Sequence, residues 1–197
     1  MIGSARDLSS RIHVMKSASP RLIIFSWLAI SLAACQPDSS AQLSAPLVSD
    51  TLKVPPTDTL AFAATAKGVQ IYECRANKDN ANRYEWVLKA PEAELFDARG
   101  KKIVHHYGGP AWESSDGSKV TGEVKASEPS TDANSIPWLL LSAKTHEGHG
   151  IFSQINSIQR LETRGGKAPS GGCDQSSIGK QLQVPYTAVY YFYQTKP

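Results

Sequence analysis

The chain has 197 residues, 41% hydrophobic and 20% charged, with 21 basic and 18 acidic side chains and a formal charge of +3. Arg6, Arg11, Lys16 and Arg21 against Asp7 fall within residues 1–35, so 21 less 4 and 18 less 1 leave 17 charges of each sign beyond them. A balanced chain without a concentrated basic footprint excludes nucleic acid as a partner, and its length suits one domain with a real core.

Leu22 to Cys35, LIIFSWLAISLAAC, is a run of almost wholly apolar residues preceded by Lys16 and Arg21. A basic flank, a short apolar stretch and a small-residue end follow the order of a secretory signal. The run is shorter than the roughly 20 residues a membrane span needs. Its ending, Leu32-Ala33-Ala34-Cys35, resembles the lipobox of bacterial lipoproteins. The resemblance implies that residues 1–34 are removed and that Cys35 is lipidated, with the membrane as partner through that lipid. A plain signal peptide or a buried apolar segment are the alternatives. Met15 opens a leader of ordinary proportions and is read as the true start. Gln36 stands where aspartate would signal inner-membrane retention. By the same resemblance this favours an exported, outer-membrane lipoprotein facing the periplasm or cell surface.

Gln36 to Thr59 is rich in Ser, Thr, Pro and Ala without sustained periodicity and reads as a disordered tether. Residues 60–197 read as a β domain. Lys67 to Cys74 alternates, with Val69, Ile71 and Glu73 on one face and Gln70, Tyr72 and Cys74 on the other. Tyr84 to Leu88 is the next strand. Residues 91–96 suit one helical turn opened by Pro91; preferably, Ala93 to Asp97 is the first arm of a hairpin returning through Lys101 to Tyr107. Asp116-Gly117 between Trp112-Glu113 and Lys119-Thr121 is a short hairpin signal. Ile136 to Ala143 and Ile151 to Leu161 follow. Val184 to Tyr193, apolar on both faces, is expected to lie centrally. The sum is a single all-β antiparallel sandwich or barrel-like domain of eight to ten strands, with little helix.

With Cys35 lipidated, Cys74 and Cys173 are the two thiols left, in a compartment that permits disulfides. A Cys74–Cys173 disulfide is expected, with two buried free thiols as the alternative.

Catalytic templates are mostly missing: there is no G-x-S-x-G, G-x-x-x-x-G-K-[ST] or G-x-G-x-x-G. His146-Glu147-Gly148-His149 is one residue short of a zincin helix and reads as a turn, so no metal and no cofactor is implied. The richest polar cluster runs from His105 to Asp116. Alternation puts His105 and Tyr107 on one face and His106 on the other. Either histidine could serve as a general base oriented by Glu113 or Asp116, or the cluster is packing. Four tryptophans and seven tyrosines invite ligand stacking, with Tyr107 and Trp112 as candidates for a small molecule or glycan. Trp86, Trp112 and Trp138 fall in expected strands, where aromatics ordinarily build the core. Arg160, Arg164 and Lys167 beside Gly165-Gly166 could form a small anion site or be solvated charge.

Several spaced blocks taken together resemble one family. They are Gly68-x-Gln70-x-Tyr72-x-Cys74, His106-Tyr107-Gly108-Gly109-Pro110-x-Trp112, Asp116-Gly117-Ser118-x-Val120-x-Gly122, Ile136-Pro137-Trp138-Leu139-Leu140 and Ile158-Gln159-Arg160-x-x-Thr163-x-Gly165-Gly166-x-Ala168-Pro169. Cys173 and Val184-Pro185-Tyr186-x-Ala188-x-Tyr190-x-Phe192-Tyr193 complete the set. It resembles domain-of-unknown-function family 3455, from about Leu60 to Tyr193. The resemblance implies a single extracytoplasmic domain with Cys74 paired to Cys173, and it brings no activity. A non-enzymatic, lipid-anchored binding or envelope-associated module is the expectation. The rival is a hydrolase-like enzyme using His105 or His106 with Glu113 or Asp116.

Overall fold

The β-rich patterning of the chain closes on itself. The computed structural model describes residues 44–80 and 82–196. The leader read at 1–34, the possible start at Met15, the lipid site at Cys35 and the first part of the tether lie outside the described residues. Eight strands run in order: β1 (Asp58–Ala76), β2 (Tyr84–Phe96), β3 (Lys102–Tyr107), β4 (Ala111–Ser114), β5 (Lys119–Glu128), β6 (Trp138–Glu147), β7 (Ile155–Gly165) and β8 (Gln181–Thr195). Each pairs antiparallel with its neighbour, and β8 pairs with β1 to close a barrel. The fold is all-β, with 3-10 turns at Asp50–Leu52 and Gln175–Ser177 as its helical pieces among the described residues. The Pro91–Phe96 stretch is strand throughout, as the hairpin alternative required.

Alternation along each strand sorts side chains into a filled interior and a polar exterior. Ala64 and Ala66 on β1, Ala93 and Leu95 on β2, and Ala188, Tyr190 and Phe192 on β8 belong to the buried cluster. The end near the β4–β5 and β6–β7 turns is packed by aromatics. Phe62 stacks on Phe192 at 4.5 Å, and Phe152 meets Phe192 at 5.3 Å. Outside, charges pair across strands, as in Lys102–Glu94 at 2.9 Å and Lys119–Glu147 at 3.2 Å. An apolar inside and a charged outside are the reverse of a barrel wall that faces lipid.

Residues 44–57, assigned from sequence to the tether, hold a buried anchor. Leu52 is fully buried, its carbonyl accepts from Gln159 Nε2 at 2.6 Å, and Ser49 Oγ donates to Glu128 at 2.7 Å. Gln159 in turn accepts from the Tyr193 hydroxyl at 2.6 Å, so the outer face of β7 and β8 is covered there.

At the opposite end, Cys74 and Cys173 form a disulfide with Cα atoms 5.4 Å apart. It ties the end of β1 to the loop between β7 and β8 across 99 residues of sequence. The same loop is held by Trp86 Nε1 donating to Gly171 O at 2.9 Å and by the Tyr72 hydroxyl donating to Gly166 O at 2.7 Å. Closing a loop of this length removes unfolded-chain entropy worth up to about 4.7 kcal/mol. The double variant Cys74→Ala/Cys173→Ala is therefore expected to lose several kcal/mol in chemical denaturation. A variant as stable as the oxidised parent would contradict the crosslink's role.

Candidate functional site

The strands are unequal in length, and that opens the wall. β3 has 6 residues and β4 has 4, against 13 in β2 and 10 in β5. β3 therefore pairs with β2 only along Ala93–Phe96, and β4 with β5 only along Lys119–Thr121. Their hairpin turns back at Gly108-Gly109-Pro110, where Gly109 at φ 137° takes a backbone conformation that side chains resist. Beyond that turn, β2 from Leu88 to Pro91 and β5 at Val124 face each other across a gap. The β2 edge is suited to it: Pro91 has no N–H to leave unpaired, and Lys89 is an edge-protecting charge.

The gap leads into a cavity of about 300 Å³, the bulk-liquid volume of roughly ten waters. Its rim is apolar. Leu88 and Val124 are 51% and 49% exposed, and Leu139 and Leu141 continue the lining inward. Its floor is made by Gln70, His106, Trp112, Arg160 and Tyr190. The His106 ring stacks on Trp112 at 4.6 Å and meets the edge of Tyr190 at 5.2 Å.

Most of the polar groups on this floor are hydrogen-bond donors. Arg160 is 9% exposed, and its Nε and Nη2 donate to Pro137 O at 3.3 and 2.8 Å. A guanidinium has five N–H groups, so three remain, and among the described residues no carboxylate pairs with it. Gln70 Nε2, Trp112 Nε1 and the hydroxyls of Tyr186 and Tyr190 are buried and make no hydrogen bond of normal geometry among the described residues, although Tyr186 lies near enough to Gln70 and Tyr190, and Tyr190 to Arg160, for looser contacts to bear on their ionisation. Burial pushes the ionisation of both tyrosines upward, Tyr186 far above the usual phenol range, with Arg160 pulling the other way. Both therefore stay neutral and keep their O–H groups.

The structure separates the residues nominated from sequence. His106 is buried, and its Nδ1 lies 2.8 Å from Ala111 O; since a carbonyl can only accept, Nδ1 carries the proton and Nε2 is the ring's acceptor. His105 faces outward, 2.6 Å from Glu92 rather than from Glu113 or Asp116. Glu113 accepts from the Tyr107 hydroxyl at 2.9 Å on that same outer face, where His105 and Tyr107 rings sit 5.0 Å apart. Trp112 lines the cavity, so Tyr107 and Trp112 point to opposite sides of the wall. Asp116 lies at the other end of the barrel. Burial works to raise its carboxyl, but bonds from Ser118 Oγ and the Ile151 and Ser118 amides hold it at about 2. No carboxylate touches His106 among the described residues.

His146 Nε2 bonds Ile155 O at 2.7 Å while His149 is exposed, and no metal-ligand cluster occurs among the described residues. Arg160, Arg164 and Lys167 do not converge: Arg164 is exposed, and Lys167 donates to Ala133 O at 2.9 Å. Gln70 and Tyr190, absent from the sequence-based candidates, line the cavity. One signal was available for the floor, since Ile158 and Arg160 share a strand face and the apolar partner marks that face as interior.

Burial holds the His106 imidazole down at about 3, against an ordinary value of 6.5. The folded state thus disfavours the proton that the unfolded chain takes up below pH 6.5. The stability from the neutral ring is complete above pH 6.5 and is lost as pH falls toward 3. Between pH 6.5 and about 4.5 the loss amounts to roughly 2–3 kcal/mol. Denaturant unfolding of His106→Phe, which keeps an aromatic ring on Trp112, should lack this slope. Parallel pH profiles for the two proteins would refute the assignment.

No curated protein and no solved structure matches the chain. The model of the family described as Protein of unknown function (DUF3455) matches residues 55–194, the span of the barrel, and the chain belongs to that family.

Proposed function

We propose that the protein is a non-enzymatic binding module whose ligand is a small molecule, admitted between β2 and β5 and held inside the barrel. The observation that carries this reading is an open cavity lined by Gln70, Trp112 and Tyr190, buried donors without a hydrogen bond of normal geometry among the described residues, beside Arg160 with no carboxylate partner. A buried polar group without a partner costs about 1–3 kcal/mol, and several of them around one cavity are best accounted for by a ligand that satisfies them. A binding role is favoured over hydrolysis by the placement of the acids: Glu92, Glu113 and Asp116 are engaged away from the cavity. The lipobox-like Leu32-Ala33-Ala34-Cys35 supports the further reading that the module is exported and held at a membrane through lipid on Cys35, facing the periplasm or cell surface.

Leu88→Trp and Val124→Trp change exposed rim positions and should leave the melting temperature unchanged while closing the entrance. Ligand-observed fluorine NMR with a mixed set of neutral and charged aromatic fragments should detect binders to the parent that both variants lose. Fragments binding all three proteins equally would remove the cavity from the mechanism. Labelled palmitate should enter the parent and not Cys35→Ser; equal labelling, or none in either, would overturn the anchor.

A further inference from the structure

We infer that the ligand is a small oxyanion carried on an apolar body, its anionic head on Arg160, Tyr190 and Gln70 and its apolar part directed toward Leu88 and Val124. The inference rests on the binding-module reading and adds to it the charge and polarity of what is bound.

Three observations converge. Arg160 is a cation more than nine-tenths buried, and two of its donors reach only a backbone carbonyl. A buried charge without a counter-ion is costly, and an arriving anion supplies that counter-ion. Nearby, Gln70 and Tyr190 line the same cavity, and Gln70 Nε2 and the Tyr190 hydroxyl make no hydrogen bond of normal geometry among the described residues. Arg160 and Tyr190 are direct cross-strand partners in the β7–β8 register, so their side chains rise from one point of the wall. A cation flanked by neutral donors matches the geometry in which guanidinium binds carboxylate or phosphate. At the entrance the chemistry reverses: Leu88, Val124, Leu139 and Leu141 offer apolar contact. A free inorganic anion would leave those side chains unused, and a neutral apolar molecule would leave the guanidinium uncompensated.

A probe with about ten non-hydrogen atoms suits the cavity volume, so phenylacetate, its neutral isostere phenylacetamide, and benzylphosphonate serve. Titration calorimetry of the full-length protein in phospholipid nanodiscs should show phenylacetate binding at least tenfold more tightly than phenylacetamide. Arg160→Gln should bring that ratio to within about twofold. Tyr190→Phe, which preserves the ring and keeps the test valid where Arg160→Gln fails to fold, should lower the ratio several-fold. Benzylphosphonate binding more tightly than phenylacetate would still support the inference and assign the head group to phosphorus oxyanions. Phenylacetamide matching phenylacetate, or ratios untouched by the folded variants, would overturn the anionic head while leaving the binding module standing. Absence of binding by all three probes, or binding undiminished in Val124→Trp, would sink both readings.

Discussion

Closure between β1 and β8 is the constraint from which the rest follows. The two longest strands, 19 and 15 residues, pair from Asp58 with Thr195 to Glu73 with Gln181. Joining the first strand to the last turns one face of every strand into an interior and the other into an exterior. It also makes a long, unbroken wall on one side of the molecule. Opposite that wall the short β3–β4 hairpin can stop early, because the barrel does not depend on it along its full height. The cavity entrance is the space that hairpin leaves.

Inside the barrel the two ends differ in chemistry. Phe62, Phe152 and Phe192 fill the end near the β4–β5 turn, where dispersion and area burial supply the stability. Toward the other end stand Gln70, Arg160, Tyr186 and Tyr190, which weaken the core they occupy unless they are satisfied. The contrast with the exterior is sharp in electrostatic terms. Surface charges pair with each other in solvent, where each pair is worth little. Among the described residues, Arg160 is the one lysine or arginine that is buried.

The loop between β7 and β8 lies at the polar end and is held at three points: the disulfide, Trp86 on Gly171 and Tyr72 on Gly166. A crosslink placed there stiffens the loop as well as the chain as a whole. The stretch before β1 acts comparably on the outside, with buried Leu52 tied to Gln159 and, through it, to Tyr193.

Much of the architecture was legible in the residues. Period-two alternation, the Asp116-Gly117 turn and the doubly apolar Val184–Tyr193 segment determined antiparallel strands near their observed positions, and the count of cysteines pointed to Cys74–Cys173. Alternation tells which side chains share a face, but not which face will be enclosed. At β1 the enclosed face carries Gln70, Tyr72 and Cys74, not Val69 and Ile71. At β7 alternation from Ile158 carries Arg160 inward, and a bulge with Glu162 at φ 53° then breaks the count, so Arg164 is exposed. His105 and His106, adjacent in sequence, end on opposite sides of the wall, as strand alternation required. Local patterning thus settled the elements and their turns. Only closure of the barrel decided which residues meet across it, because inside and outside exist only once the last strand has found the first.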